Sequence, residues 1–303
     1  MEDKKVAVIL STYNGESYIK TQIDSILNQT YKNIDIYVRD DGSKDSTVSI
    51  LKEYENKGKI HFYPRENVGF IKSFFECLSF CDDADFYAFC DQYDEWFDFK
   101  IARAVEKLSK KNEDEPLLYF SDYDFYDNDM NFIAHSNSHK KGPSFRNAIV
   151  DCINLGITTV INKKTRDIMV KSNIQKSCGH DWTAYMICSG FGEIIYDKTP
   201  TIKYRRTGNN VSPGGKNFIQ MQIWRIKKFL LNNYFQNVKE ELIEFENLFS
   251  DKLSKEDKKL LNLFTSRKYN FSKMIKRVFY PKMFRQKLTD EIMLRFVILI
   301  GKL

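Results

Sequence analysis

Val6-Ala7-Val8-Ile9-Leu10-Ser11-Thr12-Tyr13-Asn14-Gly15-Glu16 opens with a short apolar run that turns abruptly polar. A Val/Ile-rich run of this length reads as a strand buried on both faces, with its polar residues lying beyond the carboxyl end. The pattern returns at residues 34–39, 60–63, 86–90 and 117–121. Helical spacing fills the intervals: residues 17–27 put Tyr18, Ile19, Ile23, Ile26 and Leu27 on one face, and residues 47–54, 70–80 and 101–108 follow suit. Strand and helix in alternation predict βαβ units, hence an α/β fold with a mostly parallel, Rossmann-like sheet flanked by helices.

Residues 121–215 are less regular, with aromatic and Asp-rich loops, a strand predicted at 158–161 and helices at 164–170 and 182–188. They read as the second half of the same domain. The breaker Ser212-Pro213-Gly214-Gly215 then separates residues 1–215 from a C-terminal helical appendage, residues 216–303, interrupted near Asn270 and Pro281.

A 303-residue chain that is 42% hydrophobic and 29% charged is globular, far from the low-hydrophobicity composition of disordered chains. The first apolar run is too short for a signal-peptide core, and no late run approaches the ~20 residues that span a bilayer. The six cysteines, Cys77, Cys81, Cys90, Cys152, Cys178 and Cys188, form no CxxC pair. Reduced, buried thiols in a cytoplasmic protein are therefore expected. The net charge of +6 is uneven: residues 216–303 carry 19 Lys+Arg against 9 Asp+Glu, and the rest of the chain is mildly acidic.

In an open parallel sheet, ligands bind beyond the carboxyl ends of the strands. Three such ends are polar here: Ser11-Thr12-Tyr13-Asn14-Gly15-Glu16, Asp40-Asp41-Gly42-Ser43 and Asp91-Gln92-Tyr93-Asp94-Glu95-Trp96. Asp40-Asp41-Gly42-Ser43 alone could be a turn leading into a helix. Three clusters at one rim instead point to a ligand. Neither GxGxxG nor GxxxxGK[ST] occurs, so a nucleotide would be held by side chains. His135 and His139, four apart among Ser and Asn, lack the Glu of a zinc helix.

Across residues 4–212 the chain resembles family 2 glycosyltransferases of the GT-A fold, in detail the bacterial rhamnosyltransferase-type members. The resemblance rests on Val8 to Gly15, on Ser25-Ile26-Leu27-Asn28-Gln29-Thr30-Tyr31, on Asp40 to Thr47 and on Gly179-His180-Asp181-Trp182. It implies a nucleotide-sugar half, residues 1–100, and an acceptor half, residues 101–215. Thr12, Tyr13 and Glu16 would line a nucleoside pocket, Asp41 would bond a pyrimidine, and Asp91 would contact the ribose and diphosphate. Packing remains the alternative for Tyr13. Asp181 would be the catalytic base; capping the following helix is its alternative. Arg205 and Arg206, in Tyr204-Arg205-Arg206-Thr207-Gly208-Asn209-Asn210, would offset diphosphate charge or belong to a solvated basic loop.

Two departures concern the divalent cation, Mg²⁺ or Mn²⁺, that the family resemblance implies. Tyr93 stands where the metal-binding Asp is expected, and Thr207 stands in place of a His. Asp91 and Asp94 are the carboxylates left to hold an ion. The implied activity is inverting transfer of a sugar, rhamnose among the options, from a dTDP- or UDP-linked donor to a hydroxyl of a cell-surface glycan or lipid-linked oligosaccharide. The alternative is a glycosyltransferase-like nucleotide-binding module with lost or weak catalysis. The basic tail, interleaved with Phe, Leu, Ile and Met, is expected to meet an anionic membrane surface on the cytoplasmic side. Its competing use is a packing or dimer face, making a homo-oligomer. No nucleic-acid motif is present.

Overall fold

The structure is a computed structural model and describes residues 4–136, 141–206 and 234–303. Seven strands form the main sheet: β1 (Val6–Thr12), β2 (Ile34–Asp40), β3 (His61–Pro64), β4 (Phe86–Cys90), β6 (Leu117–Ser121), β9 (Val160–Asn162) and β10 (Glu193–Asp197). Their spatial order is β10-β6-β9-β4-β1-β2-β3. All pairings are parallel except those of β9, which runs against both β4 and β6.

Alternation along β1 splits the interior into two layers. Ala7 and Ile9 join the core beneath α3 (Phe70–Phe80) and α7 (His180–Phe191), while Val6, Val8 and Leu10 join the core beneath α1 (Ile19–Leu27) and α4 (Lys100–Leu108). Both faces are covered, and for this reason the strand is apolar throughout. Leu10 pairs with Val38 and with Cys90, so β1, β2 and β4 end nearly level. That register sets Thr12, Asp41 and Asp91 on one rim.

The other helices are α2 (Thr47–Asn56), α5 (Phe145–Ala148) and α6 (Lys163–Lys171). The predicted strand at 158–161 is displaced: residues 156–158 form a 3-10 turn and β9 begins at Val160. The hydroxyls of Thr158 and Thr159 both donate to the Leu155 carbonyl at 2.9 Å, satisfying it locally so that the chain turns instead of extending. The helix expected at 182–188 is longer, His180–Phe191. A second sheet, in the order β5 (Glu95–Trp96), β11 (Ile202–Arg205), β7 (Asp124–Tyr126) and β8 (Phe132–His135), was not expected.

The boundary at 215/216 lies outside the described residues. Beyond it, α8 (Tyr234–Phe249), α9 (Lys255–Asn262), α10 (Phe271–Val278) and α11 (Leu288–Leu299) are described. Phe235, Val238, Leu242, Phe245 and Phe249 of α8 belong to the same buried cluster as Ile9 and Trp182. No described helix is long and apolar enough to cross a membrane. Phe245 is 3% exposed and its ring lies 5.9 Å from that of Phe145. Phe245→Ala should cost about 3–5 kcal/mol. Urea denaturation should show this as a shift of one cooperative transition; a second, earlier transition would mean that the C-terminal helices melt alone.

Candidate active site

A cavity of about 600 Å³ opens at the rim where β1, β2 and β4 end. Its first wall is built from β1 and β4. Gln92 accepts from the Thr12 hydroxyl (2.5 Å) and the Tyr13 amide (2.8 Å), and donates to the Tyr13 carbonyl (2.9 Å). Tyr13 is thus held by its backbone while its ring stays 47% exposed, which removes plain packing as its role.

Asp40 and Asp41 divide the work at the end of β2. Asp40 accepts from the amides of Gly42 (3.1 Å) and Ser43 (2.9 Å), a local turn that Gly42 completes at φ +80°. Asp41 lines the cavity. Its Oδ1 accepts from Arg39 Nη1 (2.6 Å) and Val68 N (2.9 Å), and its Oδ2 from Gly69 N (3.0 Å). Arg39, 1% exposed, also donates to Glu76, to Ser73 and to the Glu66 carbonyl.

Glu16 lies off the cavity lining, and its carboxylate accepts from the Ser46 amide (2.9 Å). With the bonds from Asn14 N to Ser43 Oγ and from Gly15 N to Thr47 Oγ1, both 2.8 Å, it stitches the first polar loop to the second. This is a structural use of a residue expected in the pocket.

Asp91 and Tyr93 reach the cavity, and the Tyr93 hydroxyl donates to Asp91 Oδ2 at 2.8 Å. Asp94 is buried outside the lining, and its Oδ1 accepts from the Arg205 amide (3.1 Å). Arg205 donates to the carbonyls of Tyr93 (2.9 Å) and Asn128 (2.7 Å) and lies over the Tyr18 ring. Arg206 lies over the rings of Phe125 and Tyr204. Neither arginine lines the cavity. Thr207 and the loop after it lie outside the described residues.

For a divalent ion the donor set is a poor fit. Among the described residues no group of three His, Cys, Asp or Glu side chains gathers to hold one, and within the acidic loop Asp94 points away. Asp91, bonded by a phenol, is that loop's one carboxylate in the lining, and Mg²⁺ and Mn²⁺ favour several oxygen ligands.

The facing wall carries Asp181, in the first turn of α7. Its Oδ1 accepts from Trp182 N (2.9 Å) and its Oδ2 from Gly156 N (3.0 Å). The cap position is Gly179 and carries no side-chain cap bond, while the Asp181 carboxylate, bonded to the adjacent amide, lines the cavity. Gly156 is required by close approach, since a Cβ there would sit 2.6 Å from His180 Nε2. His180 is packed against Phe74 (3.9 Å between ring centroids) and Phe89 (4.5 Å). Burial pushes its pKa down to about 3, so it is a neutral spacer that fixes its neighbour. Burial raises Asp181 to about 6, against the opposing pull of its amide bonds. It also raises Asp91 to about 6, with the Tyr93 bond opposing and the Asp181 charge adding.

Sequence reasoning missed Arg39, Gln92, Tyr234 and Glu241. Glu241 accepts from Cys178 N (3.0 Å) and the Thr183 hydroxyl (3.2 Å), bracing the loop that leads into Asp181. Burial raises its carboxyl to about 7. Its signal was legible: it sits in the apolar phase of α8 with Val238, Leu242, Phe245 and Phe249. Cys152 and Cys178, expected to be buried, are half-exposed in the cavity wall, whereas Cys77, Cys81, Cys90 and Cys188 are buried.

A family model described as glycosyl transferase family 2 matches residues 7–165. The dTDP-rhamnosyl transferase RfbG of Shigella flexneri is 30% identical over 216 residues, covering 66% of this chain and 72% of that one. Glycosyltransferase GlyA of Streptococcus pneumoniae is 46% identical over 68 residues, 22% of this chain but only 10% of its own. Among solved structures, residues 1–349 of TarS from S. aureus, in complex with UDP-GlcNAc, match with a TM-score of 0.62 at 17% identity, covering 92% of this chain and 76% of that one. At that identity the likeness is one of fold.

Asp41→Ala would leave the Arg39 guanidinium with Glu76 as its carboxylate partner and strip the Val68 and Gly69 amides of their acceptor, a change that costs about 1.5–3 kcal/mol. The measurement is chemical denaturation of parent and variant. A loss under about 1 kcal/mol would mean that the pair does not hold the wall.

Proposed function

Since the chain belongs to glycosyl transferase family 2 and is a glycosyltransferase of GT-A fold, we propose that it transfers a sugar with inversion from a dTDP- or UDP-linked donor. Rhamnose is the first choice of sugar, by likeness to the S. flexneri relative. The acceptor is a hydroxyl of a cell-surface glycan or lipid-linked oligosaccharide, met at the cytoplasmic face of the membrane. The observation that carries the reading is the opposition, across one cavity, of the strand-end wall and Asp181.

Donor binding falls to residues of the 1–100 half. Each carboxylate oxygen has two lone pairs, and Asp41 Oδ2 accepts one bond from Gly69, which supports its pairing with a pyrimidine imide N–H. Thr12 and the exposed Tyr13 ring would flank the nucleoside, and Asp91 the ribose. Asp181 takes the proton from the acceptor hydroxyl while the hydroxyl oxygen bonds to the anomeric carbon. The bond to the nucleoside diphosphate breaks on the opposite face, and its electron pair leaves with the diphosphate. The Tyr93 hydroxyl, whose one hydrogen goes to Asp91 Oδ2, would turn it to the departing diphosphate when donor is bound, a service that hydrogen-bond donors can give to developing charge. Arg205 supports the same loop through the Tyr93 carbonyl.

One observation favours a nucleotide-binding module with weak catalysis: the Tyr93 phenol occupies Asp91 Oδ2. Turnover by purified protein on a panel of nucleotide-sugars separates the two readings.

Asp181→Asn should lower turnover by roughly 10²–10⁴-fold with donor affinity retained. Because the base works deprotonated, parent kcat/KM should climb with pH to about 6 and level off above it. An Asn variant near the parent rate, or no acid limb, removes Asp181 from the role.

Donor binding should depend less on a divalent ion than family members commonly do, because Tyr93 presents a neutral phenol. Calorimetric titration of donor should survive EDTA in the parent protein, and Tyr93→Asp should acquire Mn²⁺ dependence. Complete loss with EDTA and full recovery with Mn²⁺ would overturn this.

A further inference from the structure

Helix α11 is apolar on two faces. Leu294, Val297 and Ile298 are buried in the core, at 2% exposure or less. Opposite them Leu288, Ile292, Phe296 and Leu299 recur at helical spacing and are exposed, Leu288 by 65% and Ile292 by 61%. A surface helix of a soluble protein normally turns polar residues outward on that side. The neighbouring helix α10, packed against it, adds Phe271, Ile275 and, at its end, Phe279, which is 73% exposed. Two adjacent helices thus present large apolar side chains outward.

The rim of this face is basic. Residues 267–303 contain ten Lys and Arg against Asp290 and Glu291. Several of the cations serve the fold: Arg285 pairs with Asp151 (2.5 Å) and Arg295 with Glu291 (2.8 Å). Arg267, Lys268, Lys276, Lys282, Lys287 and Lys302 are exposed around the stripe. Apolar side chains ringed by lysines are the signature of helices that lie in the plane of an anionic interface, the apolar face in the acyl boundary and the cations at the headgroups. A self-associating face would instead gather like charges against one another.

We infer that α10 and α11 form the surface by which this protein lies on an anionic lipid bilayer, with Phe271, Ile275, Phe279, Leu288, Ile292 and Phe296 inserted. The inference deepens the membrane-side reading of the acceptor. The connector between the two helices is bound to the cavity wall. Asn147 Nδ2 donates to the Phe284 carbonyl (2.7 Å), Arg146 Nε donates to the Met283 carbonyl (2.9 Å), and Asp151, which Arg285 holds, lines the cavity. Seating this hairpin on a bilayer therefore sets the acceptor side of the cavity relative to the lipid surface.

The test is flotation of the full chain with phosphatidylcholine vesicles and with vesicles that also contain phosphatidylglycerol, together with sedimentation velocity without lipid. Binding should be at least roughly tenfold stronger on the anionic vesicles and should weaken with salt. The exposed-site variant Phe279→Glu/Ile292→Glu/Phe296→Glu should lose flotation while its calorimetric donor binding stays at the parent value. Lys276→Glu/Lys282→Glu/Lys287→Glu should lose the preference for anionic lipid. Equal, negligible binding to both vesicle types would overturn the inference, as would a parent dimer that the apolar variant splits. Failure of donor binding in every protein would count against the transferase reading and leave the lipid result standing.

Discussion

Arg39 and Asp41 form an ion pair in the interior, and the strand-end wall of the cavity is organised around it. Both sit at the end of β2, yet their partners come from the loop that follows β3 and from α3. A guanidinium with this little exposure persists only if its donors are satisfied, and here two carboxylates, a hydroxyl and a main-chain carbonyl do so. The chain between β3 and α3 consequently has one way to lie. The α3 ring Phe74 then packs His180, which seats the Gly156 turn and Asp181 on the far side of the cavity. A charge pair on one wall is therefore connected by direct contacts to a carboxylate on the other.

Much of this architecture was legible because burial on both faces leaves a plain mark in composition. The predicted strands at 86–90 and 117–121 and the helix at 70–80 have the boundaries seen in the structure. The four-stranded second sheet left no such mark, since its strands are two to four residues long and mix charged residues or His with aromatics. Arg39 was illegible for a related reason: a basic residue near a strand end ordinarily faces water, and nothing local announces a partner two residues on together with others from a distant loop. Glu16 and Arg205 mislead in the opposite sense. Their types suit a ligand, but their polar groups meet the chain's own backbone.

The wall that carries Asp181 shows how far the late helices reach. Glu241 and Glu244 of α8 receive the amides of residues 175, 176 and 178, so the loop entering α7 is capped by carboxylates from a segment more than sixty residues later. Tyr234 lines the cavity and Arg285 grips Asp151. These contacts join the helices to the chemistry of the cavity, in addition to their share of its hydrophobic support.

The reversed direction of β9 has a consequence for what its rim can hold. The parallel strands β1, β2 and β4 run toward this rim and deliver Thr12, Asp41 and Asp91 to it. β9 departs from that edge, and the turn before it delivers the Gly156 amide among its parallel neighbours' ends. One inverted chain direction thus supplies a backbone N–H donor to the Asp181 carboxylate.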